Sequence, residues 1–154
     1  MGTYKPSPKQ SPQLSLIRSG LGREGGIFLQ MTTNSAKTRV LVVDDEQLIA
    51  DTLVLILNQK GFHAIAVYSG EQAVDTALAL KPNVLISDIV MGQMNGIEAA
   101  ILISKYIPDC RILLFSGQPS SGELLGLAKS AGHEFDVLAK PVHPETLLQL
   151  LASN

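Results

Sequence analysis

The chain has few of the residues that build disulfides, closed metal sites and membrane spans. A single cysteine, Cys110, among 154 residues excludes an internal disulfide and any cysteine-built metal site. Its ordinary use is as a small apolar residue packed beside a strand. The three histidines, His63, His133 and His143, are scattered without ligand spacing, which argues against zinc. No unbroken aliphatic run is longer than Leu53–Leu57, far short of the roughly 20 residues that cross a bilayer. No membrane partner is expected, and the expected location is cytoplasmic. Basic residues also run short outside the N-terminal stretch. Residues 1–37 carry five basic residues against Glu24 alone, a balance of +4, whereas the rest of the chain carries seven basic and thirteen acidic residues, a balance of -6. An acidic body lacks the clustered basic face that neutralises phosphates, so direct contact with nucleic acid is not expected.

What remains suits one core: 45% hydrophobic residues in a chain near the length of one domain. Residues 1–36 read as a disordered tail, with Pro6, Pro8 and Pro12 among serines and glutamines, followed by Gly20, Gly22, Gly25 and Gly26. Leu14, Leu16 and Ile17 are too few and too interrupted for a secretory apolar region. Met31, followed by a short polar leader into the first strand, is a second candidate start. The domain is expected over 37–154. Because the chain ends fourteen residues after Lys140, no output domain is expected.

From Arg39 onward, short apolar runs alternate with longer amphipathic segments, the pattern of βα units around a parallel sheet. The runs lie at 40–43, 64–67, 84–87, 112–115 and 135–138. Their near-continuous apolarity predicts burial on both faces. Helices are predicted over 46–59, 70–80, from Asn95, over 120–130 and from Pro144. The first places Leu48, Ile49, Thr52, Leu53 and Ile56 on one stripe, with Gly61 just past its end. Gly122 and Gly126 make the fourth the weakest, at a cost of about 1 kcal/mol each relative to alanine. His143 stands at the N-cap of the last, ahead of Pro144.

In open α/β sheets, ligands bind beyond the carboxyl ends of the strands. Four of the five strand ends carry a polar residue: Asp44 and Asp45, Asp88, Ser116, and Lys140. Each has an ordinary structural use when taken alone. Asp45 can cap the first helix, Asp88 can form an Asx turn, Ser116-Gly117 is a common turn pair, and Lys140-Pro141 can be an exposed loop. Together, in adjacent strands of one sheet, they converge on a single cleft. Three carboxylates in one place repel unless a cation joins them or some of them protonate. Oxygen ligands beside a phosphate suit Mg2+, with a lysine ammonium and a serine hydroxyl able to donate to phosphoryl oxygens.

The segments VLVVDDE (40–46), LISDIVMGQMNGIEA (85–99), LLFSG (113–117) and LAKP (138–141) resemble the response-regulator receiver family, in order and spacing, over about 39–152. The resemblance implies a flavodoxin-like (βα)5 three-layer sandwich with parallel strand order 2-1-3-4-5. It implies that Asp88 is the phospho-acceptor, with Mg2+ held by Asp44, Asp45, Asp88 and the backbone carbonyl of Val90. It further implies that Ser116 reports the phosphoryl group and Lys140 pairs with it, aimed by a candidate cis Lys140–Pro141 bond. The expected donor is a sensor histidine kinase or a histidine phosphotransfer protein, the output is binding to an unknown downstream protein, and the chain is not expected to be an enzyme beyond its own phosphorylation and slow dephosphorylation.

Three departures stand out. Val137 occupies the place of the usual aromatic, with Phe135 two residues earlier expected on the same strand face. Gly92 replaces a proline after Met91. Val90 and Gln118 flank the approach of hydrolytic water, and the apolar Val90 is expected to slow loss of the phosphoryl group. The alternative readings are a receiver-fold scaffold that does not switch and a Mg2+-dependent aspartyl phosphohydrolase. The second of these places its nucleophile in an Asp-x-Asp pattern after the first strand, where this chain has adjacent aspartates.

Overall fold

Five short apolar segments pair as one parallel sheet in the computed structural model, which describes residues 36–118 and 120–153. The strands are β1 (Arg39–Val43), β2 (His63–Val67), β3 (Val84–Asp88), β4 (Arg111–Ser116) and β5 (Asp136–Ala139). Each is followed by a helix: α1 (Gln47–Gln59), α2 (Gly70–Leu80), α3 (Gly96–Tyr106), α4 (Ser120–Ser130) and α5 (Pro144–Ala152). The order across the sheet is β2-β1-β3-β4-β5, as expected for a flavodoxin-like (βα)5 sandwich. The tail expected over 1–36 lies outside the described residues except for Ala36. Among the described residues, no helix is long and apolar enough to cross a membrane.

Alternation along each strand divides the core into two layers. Val40 and Val42 of β1, Val84 and Ile86 of β3, and Leu113 and Phe115 of β4 pack with α1 and α5. The intervening Leu41, Val43, Leu85, Ile112 and Leu114 pack on the opposite face with Ala73 and Ala77 of α2, Ile97, Ala100 and Ile103 of α3, and Ala128 of α4. Successive strand residues point to opposite faces, so a sheet covered on both sides needs unbroken apolar runs. Leu41, Leu85, Ile86, Leu113 and Leu114 are fully buried, each contributing about 1.5–3 kcal/mol by removal from water. That burial falls on β1, β3 and β4, three of the four strands that carry the polar ends.

Two local readings of the sequence change. The apolar stripe of α1 is only partly its core face: Leu53 packs against the core beside the buried Ala50 and Leu57, while Leu48 is 81% exposed. The stripe lines an open apolar groove of about 570 Å3, whose other wall includes Lys140, Pro141, Val142 and Leu147. Helical spacing identifies a face but not the neighbour that covers it. Strand β5 begins one residue later than its apolar run. Phe135 therefore precedes the strand, half-buried against the α3–α4 side and stacked on His133; Val137, 41% exposed on the sheet edge, pairs in register with Leu114 of that same side.

Helix ends follow local chemistry. Asn95 and Glu98 form a reciprocal capping box at the start of α3. Gly61 follows α1 with φ +93°, a left-handed conformation that glycine adopts without a Cβ penalty. His143 is the N-cap residue of α5 with Pro144 following, but its side chain makes no capping hydrogen bond.

Candidate functional site

The strand order reverses beside β1, and the polar ends meet at the carboxyl ends of β1 and β3, where such a reversal opens a crevice. Asp44 follows β1 directly and is buried. Its N–H donates to the Val67 carbonyl at 3.3 Å and its Oδ1 accepts the Glu46 N–H at 3.0 Å. This turn belongs to Asp44. Asp45 is exposed and is not the helix cap, a position taken by Glu46 without a side-chain hydrogen bond. Asp88 is the last residue of β3, and the next N–H, that of Ile89, donates to the Phe115 carbonyl at 3.1 Å, fixing the strand end. One carboxylate oxygen from each of Asp44, Asp45 and Asp88 lies within 4.8 Å of the others.

Lys140 enters the cluster from β5. Its Nζ stands 3.3 Å from Asp44 Oδ2 and 3.2 Å from Asp88 Oδ2. Its backbone N–H donates to the Ser116 carbonyl at 2.8 Å, and the Lys140–Pro141 bond is cis. The lysine side chain runs across Gly117, where a Cβ would come within 3.0 Å of its Cδ.

One ammonium among three carboxylates leaves a formal -2 when all are ionised. Burial pushes the Asp88 carboxyl above its ordinary range; Lys140 pulls it down by charge and hydrogen bond, Asp44 adds repulsion, and burial prevails. On Lys140, burial works against the charge, yet Asp88 and Asp44 outweigh it and hold the ammonium pKa above its usual value. The lysine is thus well paired, while the acids remain under-compensated. An oxygen-only donor set that is buried at Asp44, half-buried at Asp88 and open at Asp45 fits a hard divalent cation that keeps some of its water.

The remaining expected residues fall nearby. Ser116 ends β4, half-buried and paired in register with Ala139. Val90 lies two residues past Asp88, with its side chain half-buried against the α2–α3 layer. Sequence reasoning missed Gly96. A Cβ there would stand 1.9 Å from the Asp88 carbonyl oxygen, and the Gly96 N–H closes the β3–α3 loop on the Ile89 carbonyl at 2.8 Å. The only signal for it was a glycine directly after the cap residue Asn95.

The sequence profile of the response regulator receiver domain matches residues 40–152. The chain belongs to this family. The receiver domain is 30% identical to the chemotaxis protein CheY of Thermotoga maritima, over 73% of this chain and 93% of that protein. It is 34% identical to the transcriptional regulatory protein YvrH of Bacillus subtilis, over 68% of this chain but 44% of that protein, so the chain spans less than half the length of this relative. The structure of the chemotaxis protein CheY4 of Vibrio cholerae superposes with a TM-score of 0.65 at 28% identity, covering 76% of this chain and 98% of that one. Receiver domains are modules of two-component signalling, and the acidic cluster of this one is able to hold a metal.

Proposed function

We propose that this receiver domain takes a phosphoryl group from a phosphohistidine onto Asp88, with Mg2+ held by Asp44, Asp45, Asp88 and the Val90 carbonyl, and signals by binding another protein. The convergence of three carboxylates and Lys140 at one crevice carries this reading. In the transfer, the P–N bond to the donor imidazole breaks as a P–O bond forms to an Asp88 oxygen, and the imidazole takes up a proton from solvent. The transition state of such transfers is loose, so the protein contributes position and charge rather than covalent chemistry. Bound Mg2+ would neutralise charge on the transferring oxygens. Lys140, anchored by its backbone to Ser116, presents its ammonium 3.2 Å from Oδ2 of the same carboxylate.

The Ser116 hydroxyl, one residue past the Phe115 that pairs with Asp88, is the group we assign to sense the phosphoryl oxygens. The added charge of about -1.5 to -2 is the input to the switch. A sensor histidine kinase or a histidine phosphotransfer protein is the proposed donor, in the cytoplasm. The domain itself is not assigned a nucleic-acid contact, because its body is acidic, although YvrH is named a transcriptional regulatory protein. No enzymatic activity beyond self-modification is assigned. A second reading, a receiver fold that binds partners without switching, is favoured by the exposed Val137 at the place of the usual aromatic. The test is an NMR spectrum recorded with and without Mg2+ and beryllofluoride. Shifts at Asp88, Ser116 and Lys140 that spread into α4 and β5 support the switch, shifts confined to the site favour the second reading, and no shift at Asp88 removes both phosphate-based steps.

A further inference from the structure

The β3–α3 loop, residues 89–95, is gripped from outside by helix α2, and we propose that Glu71 is a positioning residue for cation binding at the aspartate cluster. The inference rests on the metal-assisted reading above and adds a residue to it.

Glu71 lies in the first turn of α2, and its Oε1 accepts the Met94 N–H at 3.2 Å across 23 residues of sequence. The neighbouring Gly70 brings helix and loop into contact. A Cβ there would stand 2.7 Å from the Met94 carbonyl oxygen and 2.8 Å from its Cγ. The loop is also fixed at its two ends, by Ile89 N–H on Phe115 and by Gly96 N–H on Ile89. Between those ends, among the described residues, no backbone N–H from Val90 to Gln93 donates a hydrogen bond. Gly92 sits in the middle of this stretch with open space where a side chain would be. Glycine loses more conformational freedom on ordering than any other residue. Between Ile89 and the Asn95–Glu98 cap, the Glu71–Met94 bond is the one hydrogen bond that holds a loop N–H among the described residues, beside the burial of the Met91 side chain.

That half borders the site. Asp45, Glu71, Met91, Gly92 and Met94 line one recess of about 220 Å3. The proposed Val90 ligand is in the same loop. When the loop swings away from α2, the Val90 carbonyl and the wall facing Asp45 move with it, and a cation loses a ligand whose position had been set in advance.

The contribution of Glu71 is its acceptor oxygen, which separates this role from two others. A carboxylate in the first turn also favours the helix dipole, and a charge beside the recess attracts cations from solution. Glu71→Gln keeps the acceptor and removes the charge, whereas Glu71→Ala removes both. Gly92→Pro offers a rescue, because Gly92 has no positive φ, its N–H makes no hydrogen bond and a Cβ there meets nothing, and proline restricts the loop.

The experiment is a MgCl2 titration of the full chain followed by amide shifts at Asp44 and Asp88, with hydrogen exchange at the Met94 amide measured without metal and Asp44→Asn as the non-binding reference. Glu71→Ala is expected to weaken Mg2+ binding about three- to ten-fold, the scale of one net hydrogen bond, and to speed Met94 exchange. Glu71→Gln is expected to stay close to the parent in both, and adding Gly92→Pro to Glu71→Ala to recover affinity. Unchanged Mg2+ affinity in Glu71→Ala overturns the positioning role, as does a Glu71→Gln variant weakened as much as Glu71→Ala, which would assign the effect to charge. A parent chain that shows no Mg2+ response brings down the metal-assisted reading and this inference together.

Discussion

Single residues at the site differ sharply in what they tolerate. Gly96 touches the Asp88 carbonyl oxygen so closely that a Cβ would be only 1.9 Å away, while Gly92, four residues earlier, faces open space. Gly96→Ala is expected to destabilise the fold by about 1–3 kcal/mol, the cost of forcing atoms into a packed site, seen as a lower urea midpoint at unchanged slope. Gly92→Ala is expected to be neutral or to stabilise by up to about 1 kcal/mol. Asp88 carries the pH dependence. Burial raises its pKa in the fold, so the folded state holds its proton more tightly than the unfolded chain does. Its favourable contribution is full below the ordinary carboxylate range and is lost as pH rises through the folded pKa. Asp88→Asn removes that ionisation while Lys140 keeps Asp44 as partner. The variant is expected to be more stable than the parent in metal-free buffer at neutral pH, with a flatter pH profile. Urea unfolding from acidic to neutral pH checks it, and a variant less stable than the parent would mean that Lys140 outweighs burial. The convergence of Asp44, Asp45, Asp88 and Lys140 was legible in the sequence because strand ends define the crevice. Gly96 and Glu71 were not, because their contacts cross between loops and leave no periodic signal.

At the scale of elements, helix α4 carries residues that disfavour a helix interior. It includes two glycines, Gly122 and Gly126, and a Cβ built at either meets nothing. Gly122→Ala and Gly126→Ala are each expected to stabilise the chain by up to about 1 kcal/mol, the helix-propensity difference, measurable as a raised thermal midpoint. A loss of stability at either position would mean that α4 relies on a close approach there. All ten elements and their succession along the chain were readable from apolar periodicity and from the residues that stop and start helices, while the strand order came from the family resemblance. What periodicity could not supply was the partner of each face. In α1 a clear stripe is shared between the core, through Leu53, and an open groove, and in β5 register with β4 begins at Asp136, leaving Phe135 off the strand. Pairing with β4 sets that boundary, and the local apolar run does not report it.

For the whole molecule, the groove beside α1 shares Lys140 with the aspartate cluster. A protein donor that brings a phosphohistidine to Asp88 would therefore cover exposed Leu48 as well. Leu48→Lys is expected to slow phosphotransfer from a protein donor about ten-fold or more, by burying an unpaired charge against an apolar partner, while leaving transfer from a small acyl phosphate unchanged. Equal slowing with both donors would place the effect at the chemistry rather than at docking. The chain spans nearly all of one chemotaxis relative and less than half of a transcriptional one. The central claim is that Asp88 accepts the phosphoryl group with a divalent cation present. Intact-mass and peptide mapping after incubation with a small acyl phosphate and Mg2+ test it most directly. One added phosphoryl group is expected on the peptide containing Asp88, absent in Asp88→Asn and when the cation is chelated. Addition at another residue, or addition that persists in Asp88→Asn, would contradict it.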